Sequence, residues 1–387
     1  MIYYSDIIIN LLKWFKLKTG NYYITFDYHN GVYSDFYIHI YSKLKQIPEI
    51  KDKIILSYST KNIAWAFDKR FDRMDFKPRF MLKFLKKNII ITATKYDSRY
   101  QNEKNAKKIQ MYHGFAGFGT GWSVDTFIKG FDRLFVPLQY QYYQLTQGEY
   151  NNIINKEHVL RVGYPKIDGE IGEIRERMPG SRINSFFYGP TWTIKSSIFS
   201  YLMPLVEYTH KRNIKLYIKL HPLLLREYDY YSSGKINWTK KIKELKEQYD
   251  NIELLNTDLD FESVKRYFFE SDIFITDTSG LGWEYVLVTG RPIVFLGEKL
   301  KIPKQDVDAA EMKKMSESYE IKYRGIVGPV IKVPDSFENE LNGFFDKYND
   351  YSKNIDQFRK NFTYNLGNAS SVAVNEILKL YNEIQRN

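Results

Sequence analysis

Two histidines in this chain follow short apolar runs and precede residues that stop or loosen the backbone. In Met111-Tyr112-His113-Gly114-Phe115-Ala116-Gly117-Phe118-Gly119-Thr120-Gly121, a strand is expected to end at His113. An imidazole whose ordinary pKa is about 6.5 takes a proton near neutral pH, so His113 is the candidate general base. Gly114, Gly117 and Gly119 then let the backbone come close to a substrate. In Lys219-Leu220-His221-Pro222 the proline ends a second strand and presents His221 at the turn. There its ring N–H groups can bind a phosphate oxygen and stabilise a leaving diphosphate. The plain alternative for each histidine is a hydrogen-bonded turn residue. His29, His39, His158 and His210 lack such a setting, and no HExxH or other regular metal-ligand spacing occurs.

The third chemical element is the turn Asp277-Thr278-Ser279-Gly280 between an apolar, β-branched run and an apolar helix. Thr278, Ser279 and Gly280 place hydroxyls and free N–H groups at a helix start, where the helix dipole also favours an anion. Glu284, one turn further on, is a candidate acceptor of ribose hydroxyls; its alternative is a surface carboxylate near a helix start. Thr191, in Tyr188-Gly189-Pro190-Thr191-Trp192, is placed near the same phosphate. Both this turn and Val162-Gly163-Tyr164-Pro165 are candidates to line a cleft, with plain loops as the alternative.

Those residues need elements to hold them. Strands are expected at 23–26, 54–58, 89–93, 109–112, 134–136 and 159–162, and again at 185–188, 214–220, 252–254, 273–276, 293–295 and 330–333. Between them lie helical or irregular segments, the pattern of βαβ units and mostly parallel sheets. A helix is expected over 281–289, stopped by Gly290 and by Pro292 beyond it. The fold class is therefore α/β, with two doubly wound, Rossmann-like domains facing a cleft, and the polar stretch 166–184 marks their boundary. The organisation expected is an amphipathic N-terminal helix at 1–20, a first domain at 21–168, a second at 180–365 and a closing helix at 366–387. In open sheets of this kind, ligands bind at the carboxyl ends of the strands, where both histidines are placed.

Length and composition agree. At 387 residues, 43% hydrophobic and 27% charged, the chain suits two globular domains. It has no cysteine, which excludes disulfides and thiolate chemistry and fits a reducing cytoplasm. No apolar run reaches the ~18 residues needed to span a bilayer, and no secretory signal pattern is present. The net charge of +11 favours polyanionic partners, namely a phosphate polymer or anionic lipid. Nucleic acid is disfavoured because no recognition motif accompanies the charge. Within 1–20, Lys13, Lys16 and Lys18 flank Trp14 and Phe15, as in a helix lying on a membrane surface; packing on the first domain is the alternative. The stretch 69–87 interleaves basic and aromatic residues, and reads either as a surface for anionic polymer or lipid, or as a basic face whose aromatics point into the core.

His-Gly at 113–114, Gly-Tyr-Pro at 163–165, His-Pro at 221–222, Thr-Asp-Thr-Ser at 276–279 and Thr-Gly-Arg-Pro at 289–292 occur in that order. Together with Asn368-Ala369-Ser370-Ser371 leading into a last helix, the set resembles the CDP-glycerol glycerophosphotransferases, the teichoic-acid primases and polymerases of GT-B fold. The resemblance implies a donor site in the second domain and an acceptor site in the first. His113 would deprotonate the acceptor hydroxyl; His221, Thr278 and Ser279 would hold the donor diphosphate, and Glu284 would sit near the nucleotide ribose. Gly114, Gly117 and Gly119 would form the acceptor-side loop. It implies a CDP-polyol donor carrying glycerol or ribitol phosphate, a polymer or lipid-linked hydroxyl acceptor, and release of CMP. No cofactor is required, a divalent ion such as Mg²⁺ is admitted, and the enzyme would sit in the cytoplasm on the inner face of the membrane. Two alternatives remain: a GT-B glycosyltransferase using a nucleotide sugar, and a non-catalytic binder of anionic polymer or lipid.

Overall fold

Runs of Ile, Leu, Val and Phe form two wholly parallel sheets. The computed structural model describes residues 22–28, 33–58, 68–79, 82, 85, 87–93, 106–115, 128, 130–148, 150–169, 171, 183–192, 196–225, 236–256, 260–297 and 319–386. The expected helix at 1–20, Gly117 and Gly119 lie outside the described residues. The chain divides into two units, the first made of Met1–His113, Trp122–Gly169 and Thr363–Asn387, the second of Gly114–Gly121 and Glu170–Phe362. Gly114, expected within the first domain, thus groups with the second unit. The helix Ala369–Arg386 groups with the first.

In the first unit β1 (Tyr22–Asp27), β2 (Ile54–Tyr58), β3 (Phe76–Pro78), β4 (Lys87–Thr92), β5 (Ala106–Met111), β6 (Arg133–Val136) and β7 (Val159–Arg161) form a seven-stranded sheet in the order β3-β2-β1-β4-β5-β6-β7. In the second, β8 (Ser185–Tyr188), β9 (Lys215–Ile218), β10 (Ile252–Leu254), β11 (Ile273–Thr276), β12 (Ile293–Leu296) and β13 (Val330–Ile331) form a six-stranded sheet in the order β10-β9-β8-β11-β12-β13. Strands β8, β11 and β12 are buried along their whole length, the consequence of helices on both faces. Each sheet reverses its winding beside its first strand, between β1 and β4 and between β8 and β11. Such switch points leave a crevice at the carboxyl ends of the strands, where ligands of doubly wound sheets bind.

Strand β3 was not expected. It is a three-residue edge strand carrying a lysine and ending in proline, which only an edge tolerates, so it has no apolar signature. The described part of 69–87 has the core-directed aromatics that were one of its two readings. Phe71 and Phe76 are core residues. Arg70 donates to Asp35 at 2.6 Å and to Asp68 at 2.7 Å, and Arg79 pairs with buried Asp27. Lys77 is buried and donates to the carbonyl of Met74 at 2.7 Å. Arg70, Lys77 and Arg79 are thus committed to intramolecular partners.

The Gly-Tyr-Pro turn docks the end of the chain. Thr363 donates through its hydroxyl and Tyr364 through its N–H to the carbonyl of Pro137, at 2.8 and 3.0 Å. Asn365 donates to the carbonyls of Arg161 and Val162 at 2.7 and 3.1 Å. Asp168 then accepts from the N–H groups of Ala369, at 3.1 Å, and Ser370, capping the last helix. Burial pushes the Asp168 carboxyl above its ordinary value even though those N–H bonds pull the other way. Gly163 has φ +100° and a Cβ there would lie 2.2 Å from the Tyr364 carbonyl oxygen. Gly163→Ala is therefore expected to cost about 3 kcal/mol or more through backbone strain and overlap. Gly325→Ala, whose Cβ would meet nothing within 4 Å, is the neutral control. Urea unfolding of the two variants checks this; equal midpoints would contradict it.

Candidate donor site and base

The second unit's switch point is organised by Asp277, the residue after β11. Its carboxylate, 3% exposed, accepts from the N–H groups of Thr191 and Ser197, both at 2.8 Å, from Thr278 N–H at 2.6 Å and from the Ser197 hydroxyl at 2.9 Å. Ser197 also pairs with the Tyr188 hydroxyl at 2.7 Å. Burial, and next the Asp277 charge, push that phenol well above its ordinary value, so it stays neutral. Beside this network the Thr276 hydroxyl donates to the Gly189 carbonyl at 2.6 Å. The loops after β8 and β11 are thereby clamped together, as a preorganised anion site requires.

Helix Gly280–Thr289 starts from this clamp. Ser279 is its N-cap: its hydroxyl oxygen accepts from Leu281 N–H, and its carbonyl accepts from Gly282 N–H at 3.1 Å. The N–H of Gly280, the first helical residue, remains among the groups that a helix cannot satisfy itself. Gly282 lets the helix lie on the sheet, since a Cβ there would be 2.8 Å from Thr276 Cγ2 and 2.9 Å from Ile293 Cδ1. Gly290, at φ 66°, ends the helix in the left-handed conformation and donates to the carbonyl of Val286 at 3.0 Å. Glu284 lies one turn behind Gly280 on the same helix face and is 4% exposed, so the surface-carboxylate alternative does not hold. Thr278 and Ser279 are buried at the turn.

His221 stands three residues beyond β9, the neighbour of β8, with its ring 6.2 Å from that of Trp192. Thr191, His221, Thr278, Ser279 and Gly280 therefore belong to one edge of one sheet, on the loops of the adjacent strands β9, β8 and β11. Thr191 is buried and its N–H is spent on Asp277, so its backbone serves the clamp.

His113 is in the first unit, two residues beyond β5. Its ring meets those of Tyr33 at 4.8 Å and Phe36 at 6.0 Å edge-on, and lies 6.1 Å from Tyr112 in a stacked arrangement. Its carbonyl accepts from the Tyr164 hydroxyl at 3.3 Å. The imidazole is thus held in an aromatic frame, in a residue that is partly buried as a whole. Gly114 and Phe115 follow it into the second unit. Among the described residues, no three of His, Asp, Glu or Cys are grouped as metal ligands, and no helix is long and apolar enough to cross a membrane.

The family of CDP-glycerol:poly(glycerophosphate) glycerophosphotransferases matches residues 8–379. This chain belongs to that family. Membership makes it an enzyme and sets aside the non-catalytic binder. The glycerophosphotransferase also shares its fold with the wall teichoic acid polymerase TagF, at TM-score 0.64 and 18% identity over 99% of this chain and 94% of the other. A variant of that polymerase soaked with CDPG gives TM-score 0.61 at 15% identity over 100% and 95%. UDP-GlcNAc 2-epimerase from Neisseria meningitidis, bound to UDP-GlcNAc, gives TM-score 0.61 at 12% identity over 93% and 100%. These likenesses bear out the GT-B-like α/β class. No curated protein matches the sequence.

Sequence reasoning missed the clamp. Asp277 carried a local signal, since an aspartate just after a strand readily takes N–H groups of its own turn. Its bonds to Thr191 and Ser197, and the frame of Tyr33 and Phe36 around His113, are contacts between distant segments that no local pattern announces.

Proposed function

We propose that this glycerophosphotransferase moves glycerol phosphate from CDP-glycerol to a hydroxyl of a growing glycerophosphate polymer or its lipid-linked starter. The observation that carries the reading is the Thr278–Gly280 turn, clamped by Asp277 at the second unit's switch point, in a chain of this family. The donor diphosphate would lie on this turn and the start of helix Gly280–Thr289, with His221 on its oxygens and Glu284 toward the ribose. His113 would take the proton of the acceptor hydroxyl. The hydroxyl oxygen would attack the phosphorus that bears glycerol; the bond from that phosphorus to the bridging oxygen would break, and CMP would leave with that oxygen. Because such transfers depend on positioning and charge stabilisation, a rigid N–H and hydroxyl cradle is the contribution needed. We assign no resident metal to the site; a divalent ion, where used, would arrive on the diphosphate.

We place the enzyme in the cytoplasm, peripheral to the membrane, in cell-wall or capsule polymer synthesis. The net charge of +11 supports attraction to anionic polymer and lipid headgroups. The test is CMP release from CDP-glycerol and from CDP-ribitol with a lipid-linked glycerophosphate acceptor. Release from CDP-glycerol supports the reading, and release from CDP-ribitol alone changes the polyol. No release from either, with turnover of a nucleotide sugar instead, would replace it by the glycosyltransferase alternative.

A further inference from the structure

We propose that Lys166 binds the acceptor, its ammonium resting on the phosphodiester next to the hydroxyl that His113 deprotonates. The inference deepens the phosphotransferase reading above and rests on it. In a glycerophosphate polymer, a single glycerol separates the terminal hydroxyl from the last phosphate of the chain. A hydroxyl delivered to His113 therefore brings a phosphate anion within a few bonds of the imidazole, and that anion calls for a cation in the first unit. Lys166 stands there. It belongs to the turn Pro165–Ile167 after β7, at the same carboxyl edge of the first sheet as His113 after β5. Its Nζ lies 5.4 Å from the centre of the Phe36 ring, and that ring meets the His113 ring edge-on at 6.0 Å. Phe36, His113 and Lys166 all belong to the first unit.

The turn holds this cation in place. Pro165 and Ile167 are buried on either side of half-buried Lys166. The N–H of Ile167 donates to the carbonyl of Tyr164 at 3.3 Å, and that of Asp168 to the carbonyl of Pro165 at 3.2 Å. Tyr164 meets Phe36 edge-on at 5.2 Å and donates through its hydroxyl to the His113 carbonyl at 3.3 Å. Base and lysine are thus tied to one small frame made of Tyr164 and Phe36. The ring attracts the ammonium through its quadrupole, a contact that spends none of the three N–H donors of the lysine. A lysine is a point charge rather than a planar fork, which suits a phosphate that arrives on a flexible polymer.

The test supplies CDP-glycerol in excess with two lipid-linked acceptors that end in the same glycerol. One carries it through a phosphodiester, the other through a neutral methylphosphonate, and CMP release gives kcat/KM for each. Wild type should prefer the charged acceptor by roughly tenfold to a hundredfold, the range of a hydrogen bond to a charged group. Lys166→Met, which keeps an apolar stem on Phe36 without the charge, should bring that preference to within about threefold. Lys166→Arg should keep it. If thermal unfolding shows that Lys166→Met does not fold, Lys166→Gln decides. A wild type with equal kcat/KM on the two acceptors overturns the proposal. So does a neutral variant that loses the same factor on both, since the lysine would then serve the donor or the fold. A wild type that releases CMP with neither acceptor overturns the phosphotransferase reading, and this proposal falls with it.

Discussion

His113→Ala should lower kcat for glycerophosphate transfer by about 10²–10⁴-fold, the range that general base catalysis contributes. Donor affinity should be unchanged, because every residue assigned to the diphosphate is in the second unit while His113 is in the first. The fold should also persist. The His113 ring makes edge contacts with Tyr33 and Phe36, and the residue's carbonyl bond to Tyr164 survives the substitution. Steady-state kinetics with a calorimetric Kd for CDP-glycerol separates these effects. Loss of kcat with intact Kd is the expected signature. A variant that keeps within about tenfold of wild-type kcat would remove His113 from the role of base.

Asp277→Ala should have the largest effect on the donor site and on stability together. The substitution strands the N–H groups of Thr191, Ser197 and Thr278, all of which bond this one buried carboxylate. A buried donor left unsatisfied costs about 1–3 kcal/mol, so a loss of roughly 3 kcal/mol or more is expected after partial rescue by water. The loops after β8 and β11 would part where the diphosphate is to be held, and CDP-glycerol affinity should drop by at least about tenfold, or 1.4 kcal/mol. Asp277→Asn, which keeps the shape and one acceptor oxygen, should fall between wild type and alanine. Denaturant unfolding and donor binding check both. Wild-type stability in Asp277→Ala would mean that the network does not organise the turn.

Much of the scaffold was legible because its signals are local. Ile273–Thr276 is four apolar or β-branched residues buried throughout, and it forms β11 within the bounds its composition suggests. The adjoining helix and its glycine stop followed from equally short-range chemistry. Strand β3 escaped because edge pairing, not composition, makes Phe76–Pro78 a strand. The pairing of Arg70 and Arg79 was hidden for a related reason: Asp35 and Asp27 lie on other segments, and in sequence a paired arginine looks like a free one.

The site divides along the same line. His113, His221 and the hydroxyl turn announced themselves by standing where apolar runs end. What holds them could not be read locally. Asp277 reaches Ser197 across the switch point, and Tyr33 comes to His113 from the segment after β1. Gly-Tyr-Pro, which in sequence was either a cleft-lining turn or a plain loop, is the buried seat of the returning C-terminal segment.

The most direct test of the central claim follows the phosphorus. CDP-glycerol labelled with ³²P only at the phosphate bearing glycerol is incubated with the enzyme and a lipid-linked glycerophosphate acceptor. Attack at that phosphorus predicts label in the acceptor and unlabelled CMP in solution, with both formed about 10²–10⁴-fold more slowly in His113→Ala. Label recovered as CDP, with glycerol joined to the acceptor through a carbon–oxygen cleavage, would contradict phosphoryl transfer by this site.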